Sequence, residues 1–394
     1  MRTLIIKLLL LGSITAVGQD TLLLQLINSG KHTFSPFKDT FKGKGWTVID
    51  SAVNASNQVL IGEDHFLNEI PFFVSAIAKN KAFKNFIIEI DPFSADILSK
   101  KITSLSEIDF DNFNKQWQST FSFYALKPEM ELLKKMVKSG ARVGGTEQII
   151  LMADRLVCNS LKQITKSKEA IDLYNQIDVK SAAHLEEYIK DQSKPFFMLT
   201  PGFDSTLNKL LRLPISTMER QQLQDLKLSK RIYSEGNHWL RLQLMKNIFY
   251  RYYYPSVTEQ KTLYKFGSNH MTKGEGILGG YDIGNIVHTI ADSRYERSLH
   301  IMVVGKEGWQ GSPFKDKPAT KLYEGPAGLR AYGELEGLKI FFDQTAKEWT
   351  CFDLTKLHRS LRRGELKVDD IYLRRILQGY DYLVIIPEVT AAKM

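Results

Sequence analysis

Three short segments of the 394-residue chain place carboxylate and imidazole groups in or directly after apolar runs. Gly62-Glu63-Asp64-His65 follows one such run. Glu89 lies inside a second, just ahead of Asp91 and Pro92, and Gly267-Ser268-Asn269-His270 follows a third. A neutral imidazole takes a proton from water near physiological pH, and a carboxylate beside it fixes its tautomer and supports the imidazolium. The same residue types also suit a divalent metal, which lowers the pKa of bound water. His65, Glu63, Glu89 and His270 are therefore the candidate catalytic residues. A divalent metal stays open as cofactor, with haem the lesser alternative. Glu89 carries a further expectation: between Ile88 and Ile90 an unpaired charge is costly, so a partner must meet it.

The other histidines carry no such pattern. His32, His184, His300 and His358 are read as structural, and His238 and His288 as residues packing a helix face.

The elements that must position these groups follow from hydrophobic periodicity. Residues 58–61, 86–90 and 142–144 read as buried strands, and residues 70–78 and 129–138 as amphipathic helices. Strands alternating with helices imply right-handed crossovers and a mostly parallel sheet. From residue 147 to 254 the chain is rich in Lys, Gln, Leu and Glu and predicts a run of roughly four to six helices, 218–233 and 236–252 among them. The α/β rhythm returns with strands expected at 262–266, 299–304, 338–342 and 382–386, and residues 305–318 read as a loop or flap. The expected organisation is a first α/β part over 19–146, a helical insertion or lid over 147–255, and a second α/β part over 256–394. In open α/β folds ligands sit outside the carboxyl ends of the strands, which is where the three polar segments fall.

Several chemistries lack their motif. The chain contains no HExxH, no CxxC and no GxSxG elbow. Gly274-Glu275-Gly276-Ile277-Leu278-Gly279 matches GxGxxG, but it lies several residues past a strand end and reads as a loop beside the site rather than a dinucleotide cradle.

The N-terminus has the order of a secretory signal: Arg2 and Lys7, an apolar run over residues 8–17, then Ala16 and Gly18 at the −3 and −1 positions before Gln19. A signal peptide over 1–18 is expected, and with it a periplasmic or extracellular location. The run falls short of the about 20 apolar residues that span a bilayer. No transmembrane segment is expected in the mature chain. Loss of Arg2 and Lys7 lowers the formal charge from +9 to +7. Such a basic surface suits acidic or anionic partners. No basic–aromatic motif indicates nucleic acid, and the basic stretch 357–363 reads as the solvated face of a helix. Two cysteines, Cys158 and Cys351, leave one disulfide or two buried thiols open.

At these residues the chain resembles the erythromycin esterase-like family, and more loosely the wider group of Tiki, TraB and ChaN-like haem-binding-uptake proteins. The matching pieces are Val59-Leu60-Ile61-Gly62-Glu63-Asp64-His65, Phe86-Ile87-Ile88-Glu89, Arg241-Leu242-Gln243-Leu244-Met245-Lys246-Asn247, Lys265-Phe266-Gly267-Ser268-Asn269-His270 and Tyr380-Asp381-Tyr382-Leu383-Val384-Ile385-Ile386. The resemblance implies a three-layer α/β fold with a large helical insertion. It implies His65 as the base that activates water, with Glu63, Glu89 and His270 lining the cleft. Where the esterases' third strand commonly ends in Gly-x-Asp, this chain has Gly145-Thr146-Glu147.

Three functions remain in view from the sequence. The first is an exported hydrolase of an ester, lactone or amide acting on a small-molecule substrate. The second is a non-catalytic haem- or metal-binding protein of the exported compartment. The third is a catalytically silent relative whose helical insertion binds a partner.

Overall fold

A computed structural model describes residues 19–117, 120–312, 317–324 and 331–394. The expected signal peptide lies outside the described residues. The chain is α/β, with ten strands among the described residues: β1 Lys31–Phe37, β2 Thr40–Lys42, β3 Gln58–Glu63, β4 Asn85–Ile88, β5 Arg142–Gly145, β6 Thr262–Gly267, β7 Ser298–Gln310, β8 Thr320–Lys321, β9 Trp349–Asp353 and β10 Tyr382–Val389.

The chain divides into two compact units. The first takes in the chain up to Ala82, then Lys261–Ser312 and Pro318–Ala392, and the second holds Phe83–Gln260.

In the first unit the strands run in the order β2-β1-β9-β10-β7-β3-β6, with β8 paired to β7. The pairs β10–β7, β7–β3 and β3–β6 are parallel, while β9 is antiparallel to both β10 and β1. Every residue of β3 and β6 is buried. A continuous apolar strand such as Val59-Leu60-Ile61 is what a sheet covered on both faces requires. In the register of β3 with β6, Ile61 stands opposite Lys265 and Glu63 opposite Gly267.

The second unit pairs β4 with β5 in parallel, Ile88 opposite Gly145. It carries the helices Asp154–Ile164, Lys168–Lys190, Pro201–Arg212, Thr217–Glu235 and His238–Tyr252, as the composition of that stretch predicts. Side chains cap the starts of the last four. Ser216 and Glu219 form a reciprocal capping box, and Asn237 accepts from the Leu240 amide. Gly236, left-handed at φ 59°, ends one helix so that the next can begin. Their apolar faces bury Val157, Leu161, Ile177, Leu207, Leu210, Leu223 and Leu226 in one core.

Two expectations are corrected. Residues 338–342, expected as a strand, are helical: a 3-10 turn Gly333–Leu338 leads into the helix Lys339–Gln344. The apolar run is too short for periodicity to separate the two, and the strand is the later segment Trp349–Asp353. The loop expected from residue 305 begins later, because β7 continues to Gln310. There it pairs with β10 up to Gly308 opposite Val389, and its outer residues alternate in exposure.

Cys158 and Cys351 are buried free thiols, one in each unit. Among the described residues no helix is long and apolar enough to cross a membrane.

Candidate active site

Glu63 ends β3 and is only 4% exposed. Its Oε1 accepts from Lys265 Nζ at 2.7 Å and from His65 Nδ1 at 2.9 Å. Burial alone would push the Glu63 carboxyl up. The buried Lys265 ammonium and the His65 bond outweigh it and hold the carboxyl below its usual range. A carboxylate only accepts, so the His65 Nδ1 carries the hydrogen of that bond and a neutral ring keeps its lone pair on Nε2. The His65 side chain is 23% exposed, open enough to meet a ligand. Its carbonyl is held by Gln310 Nε2 at 2.9 Å, and Phe66 turns the chain away with φ 68°.

The end of β6 repeats this design. A single 3-10 turn, Ser268–His270, follows Gly267, and the His270 Nδ1 pairs with Asp282 Oδ2. Asp282 is itself the N-cap of the helix Ile283–Ser293, its other oxygen accepting from the Ile283 amide at 2.8 Å. Two imidazoles, each held through Nδ1 by a buried carboxylate, thus follow the ends of two hydrogen-bonded parallel strands. The turn between is braced: Tyr380 donates to the Ser268 carbonyl, and Asn269 Oδ1 accepts from the Leu278 amide at 2.7 Å. That second bond ties down the glycine-rich loop, which follows His270 as expected and closes on itself through Gly276 and Gly280.

Glu89 lies in the second unit, directly after β4, and is buried. The partner demanded by its setting is Arg241, whose guanidinium donates to Glu89 Oε1 at 2.9 Å. Arg241 also donates through Nε to Glu147 Oε1 at 2.9 Å and through Nη2 to Glu147 Oε2, a two-point grip on that carboxylate. Asp91 opens the next helix by accepting from the Phe93 and Ser94 amides, with Pro92 at its first position. Burial pushes the Asp91 carboxyl up to about 6.

The sequence singles out Glu63, His65, Glu89 and His270 as candidates but not the groups that hold them. Lys265 and Arg241 had a usable signal. A lysine between Tyr264 and Phe266 in an apolar strand poses the same question as Glu89. Arg241 is a cation in the first turn of a helix, where the helix dipole disfavours it, and so needs a partner. Asp282 shows in the sequence only as a helix cap. Among the described residues, no group of three or more His, Cys, Asp or Glu is arranged to hold a metal ion.

No known family profile matches this sequence, and no curated protein matches it. Solved structures do match. A His-to-Asn mutant of erythromycin esterase EreC, in its open conformation, aligns over 90% of this chain and 96% of its own with a TM-score of 0.56 at 13% identity. The fold is that of erythromycin esterase. A Bacillus cereus protein aligns over 95% of this chain and 98% of its own, with a TM-score of 0.54 at 13% identity. A succinoglycan biosynthesis protein covers the same shares with a TM-score of 0.55 at 12% identity. The resemblance to erythromycin esterase read from short sequence pieces thus extends, as a likeness of fold, over nearly the whole chain.

Proposed function

We propose that the protein is a hydrolase of a small-molecule ester, lactone or amide. The observation that carries this reading is the repeated imidazole–carboxylate pair, His65 with Glu63 and His270 with Asp282, after the ends of neighbouring parallel strands.

In this reading the His65 Nε2 removes a proton from water as the oxygen attacks the carbonyl carbon. Glu63 holds the ring and supports the imidazolium, and Lys265 keeps Glu63 ionised in its buried place. With its Nδ1 hydrogen given to Asp282, His270 keeps a lone pair on Nε2 that accepts from the attacking water and holds it towards the carbonyl carbon. When the tetrahedral intermediate collapses, the proton held by His65 passes to the departing oxygen or nitrogen. Glu89, paired with Arg241, is a further acidic residue assigned to the reaction. The first 18 residues direct the protein out of the cytoplasm. N-terminal sequencing of protein from its native compartment tests export: a start at or near Gln19 supports it, and an intact Met1 contradicts it.

The function itself is tested with chromogenic aryl esters. The protein hydrolyses them and His65→Ala lowers the rate by about 10²–10⁴, the usual worth of a positioned base. A His65→Ala variant as active as the parent removes the mechanism.

A further inference from the structure

Two histidines outside the candidate site, His300 and His288, carry more order than packing requires. His300 is fully buried in β7, and Ser298 stands two residues before it. The His300 Nδ1 lies 2.6 Å from the Met271 carbonyl oxygen, and its Nε2 lies 2.9 Å from Ser298 Oγ. The same hydroxyl lies 2.9 Å from Nδ1 of His288. The Met271 carbonyl accepts and nothing else, so His300 Nδ1 carries a hydrogen. Burial, followed by the nearby Lys273 ammonium, pulls His300 down to about 3, so the ring is neutral and its Nε2 accepts. The Ser298 hydroxyl must then donate to His300, and its lone pair receives the Nδ1 hydrogen of His288. The chain has one direction only: His288 to Ser298 to His300 to Met271.

Both ends of that chain are attached to the same pair of residues. Met271 directly follows His270. His288 lies on the helix Ile283–Ser293, which Asp282 caps. That helix also presses on the turn, since a Cβ at Gly284 would lie 2.6 Å from the Thr272 carbonyl oxygen. Lys273 continues the bracing: its side chain pairs with Asp381, its amide donates to the Gly379 carbonyl at 2.9 Å, and Asp381 accepts from the His300 amide at 2.9 Å. His358, on the helix Thr355–Arg362, is a further titratable group facing the Lys273–Asp381 pair.

We propose that the His288–Ser298–His300 chain positions the His270–Asp282 pair, fixing the backbone beside His270 and the helix that carries Asp282 from one strand. This rests on the hydrolase reading for its kinetic consequence but not for its structural one. His300 touches no reacting atom, so it is a positioning residue.

Two substitutions separate positioning from bulk packing. In His300→Asn the amide nitrogen takes the place of Nδ1 and keeps the donor to Met271. In His300→Gln the amide takes the place of Nε2 and leaves the Met271 carbonyl without its donor. We expect His300→Gln to lower kcat on p-nitrophenyl butyrate about tenfold with KM within about twofold, the scale seen when an orienting partner behind an active residue is lost. The same variant should move the ring nitrogen NMR signals of His270 towards a mixture of tautomers. His300→Asn should keep kcat within about threefold and keep the signals in place. If His300→Gln leaves the His270 signals and kcat as in the parent, or if the two variants lose alike, the proposal is overturned. Should both His300 variants fail to fold, Ser298→Ala breaks the chain at a single oxygen. A shift of the His270 signals there supports the proposal, and unchanged signals overturn it. A parent protein without esterase activity defeats the hydrolase reading, and the NMR comparison alone then decides this one.

Discussion

Gly62 and Tyr380 occupy what would otherwise be one space. A Cβ at Gly62 would lie 2.9 Å from Tyr380 Cζ and closer still to its hydroxyl. The glycine inside β3 thus lets the Tyr380 ring reach the Ser268 carbonyl, two residues ahead of His270. One missing side chain on the His65 strand shapes the turn that presents His270.

Gly62→Ala should therefore displace Tyr380 and cost about 1–3 kcal/mol, the range for overpacking a filled core. Tyr380→Phe removes only the hydroxyl and should cost about 1 kcal/mol. Both should lower turnover, the alanine variant more. Denaturant unfolding beside an ester assay checks this, and a Gly62→Ala variant of parental stability contradicts it.

Glu89→Gln keeps an acceptor for Arg241 and removes a charge. Arg241 retains its two-point grip on Glu147, so the stability loss should stay within about 1 kcal/mol. Activity should fall at least tenfold if Glu89 serves the reaction. Arg241→Met is the contrasting case. It strands two buried carboxylates and should cost about 3–5 kcal/mol. A Glu89→Gln variant that melts far lower yet turns over normally returns Glu89 to a structural role.

Burial raises the Asp64 carboxyl from about 3.8 to about 6, and its Oδ2 is buried without a hydrogen-bond partner. The unfolded chain gives up this proton first as pH rises. The folded protein binds more protons between those values, so stability falls as pH climbs from about 4 to about 6. Asp64→Asn removes that loss. The variant should gain about 1–3 kcal/mol on the parent at pH 7 and much less at pH 4. Equal differences at the two pH values contradict the assignment.

How much of this was legible in the sequence differs by element. β3 was, because an unbroken aliphatic run ending in glycine and polar residues has few other readings, and β6 was because its mostly apolar stretch ends in the same way. The helices over 154–252 were, because a long stretch rich in Lys, Gln, Leu and Glu with few β-branched runs favours helix throughout. Residues 338–342 were not: a five-residue run with four apolar side chains suits a strand as well as a helix, and only its packing separates the two. The candidate residues showed as charges in apolar surroundings. Their partners were hidden because pairing across strands depends on register. Nothing local to Lys265 says that it stands two positions before the residue opposite Glu63.

The central claim is that His65 and His270, each held by a buried carboxylate, act as one site. A double-mutant cycle on aryl ester hydrolysis, with His65→Ala, His270→Ala and both together, tests it most directly. Residues that act as a unit are non-additive. Each single variant should lose about 10²–10⁴ in rate, and the double variant should be little worse than the poorer single one. Penalties that multiply, or either single variant at full activity, would contradict it.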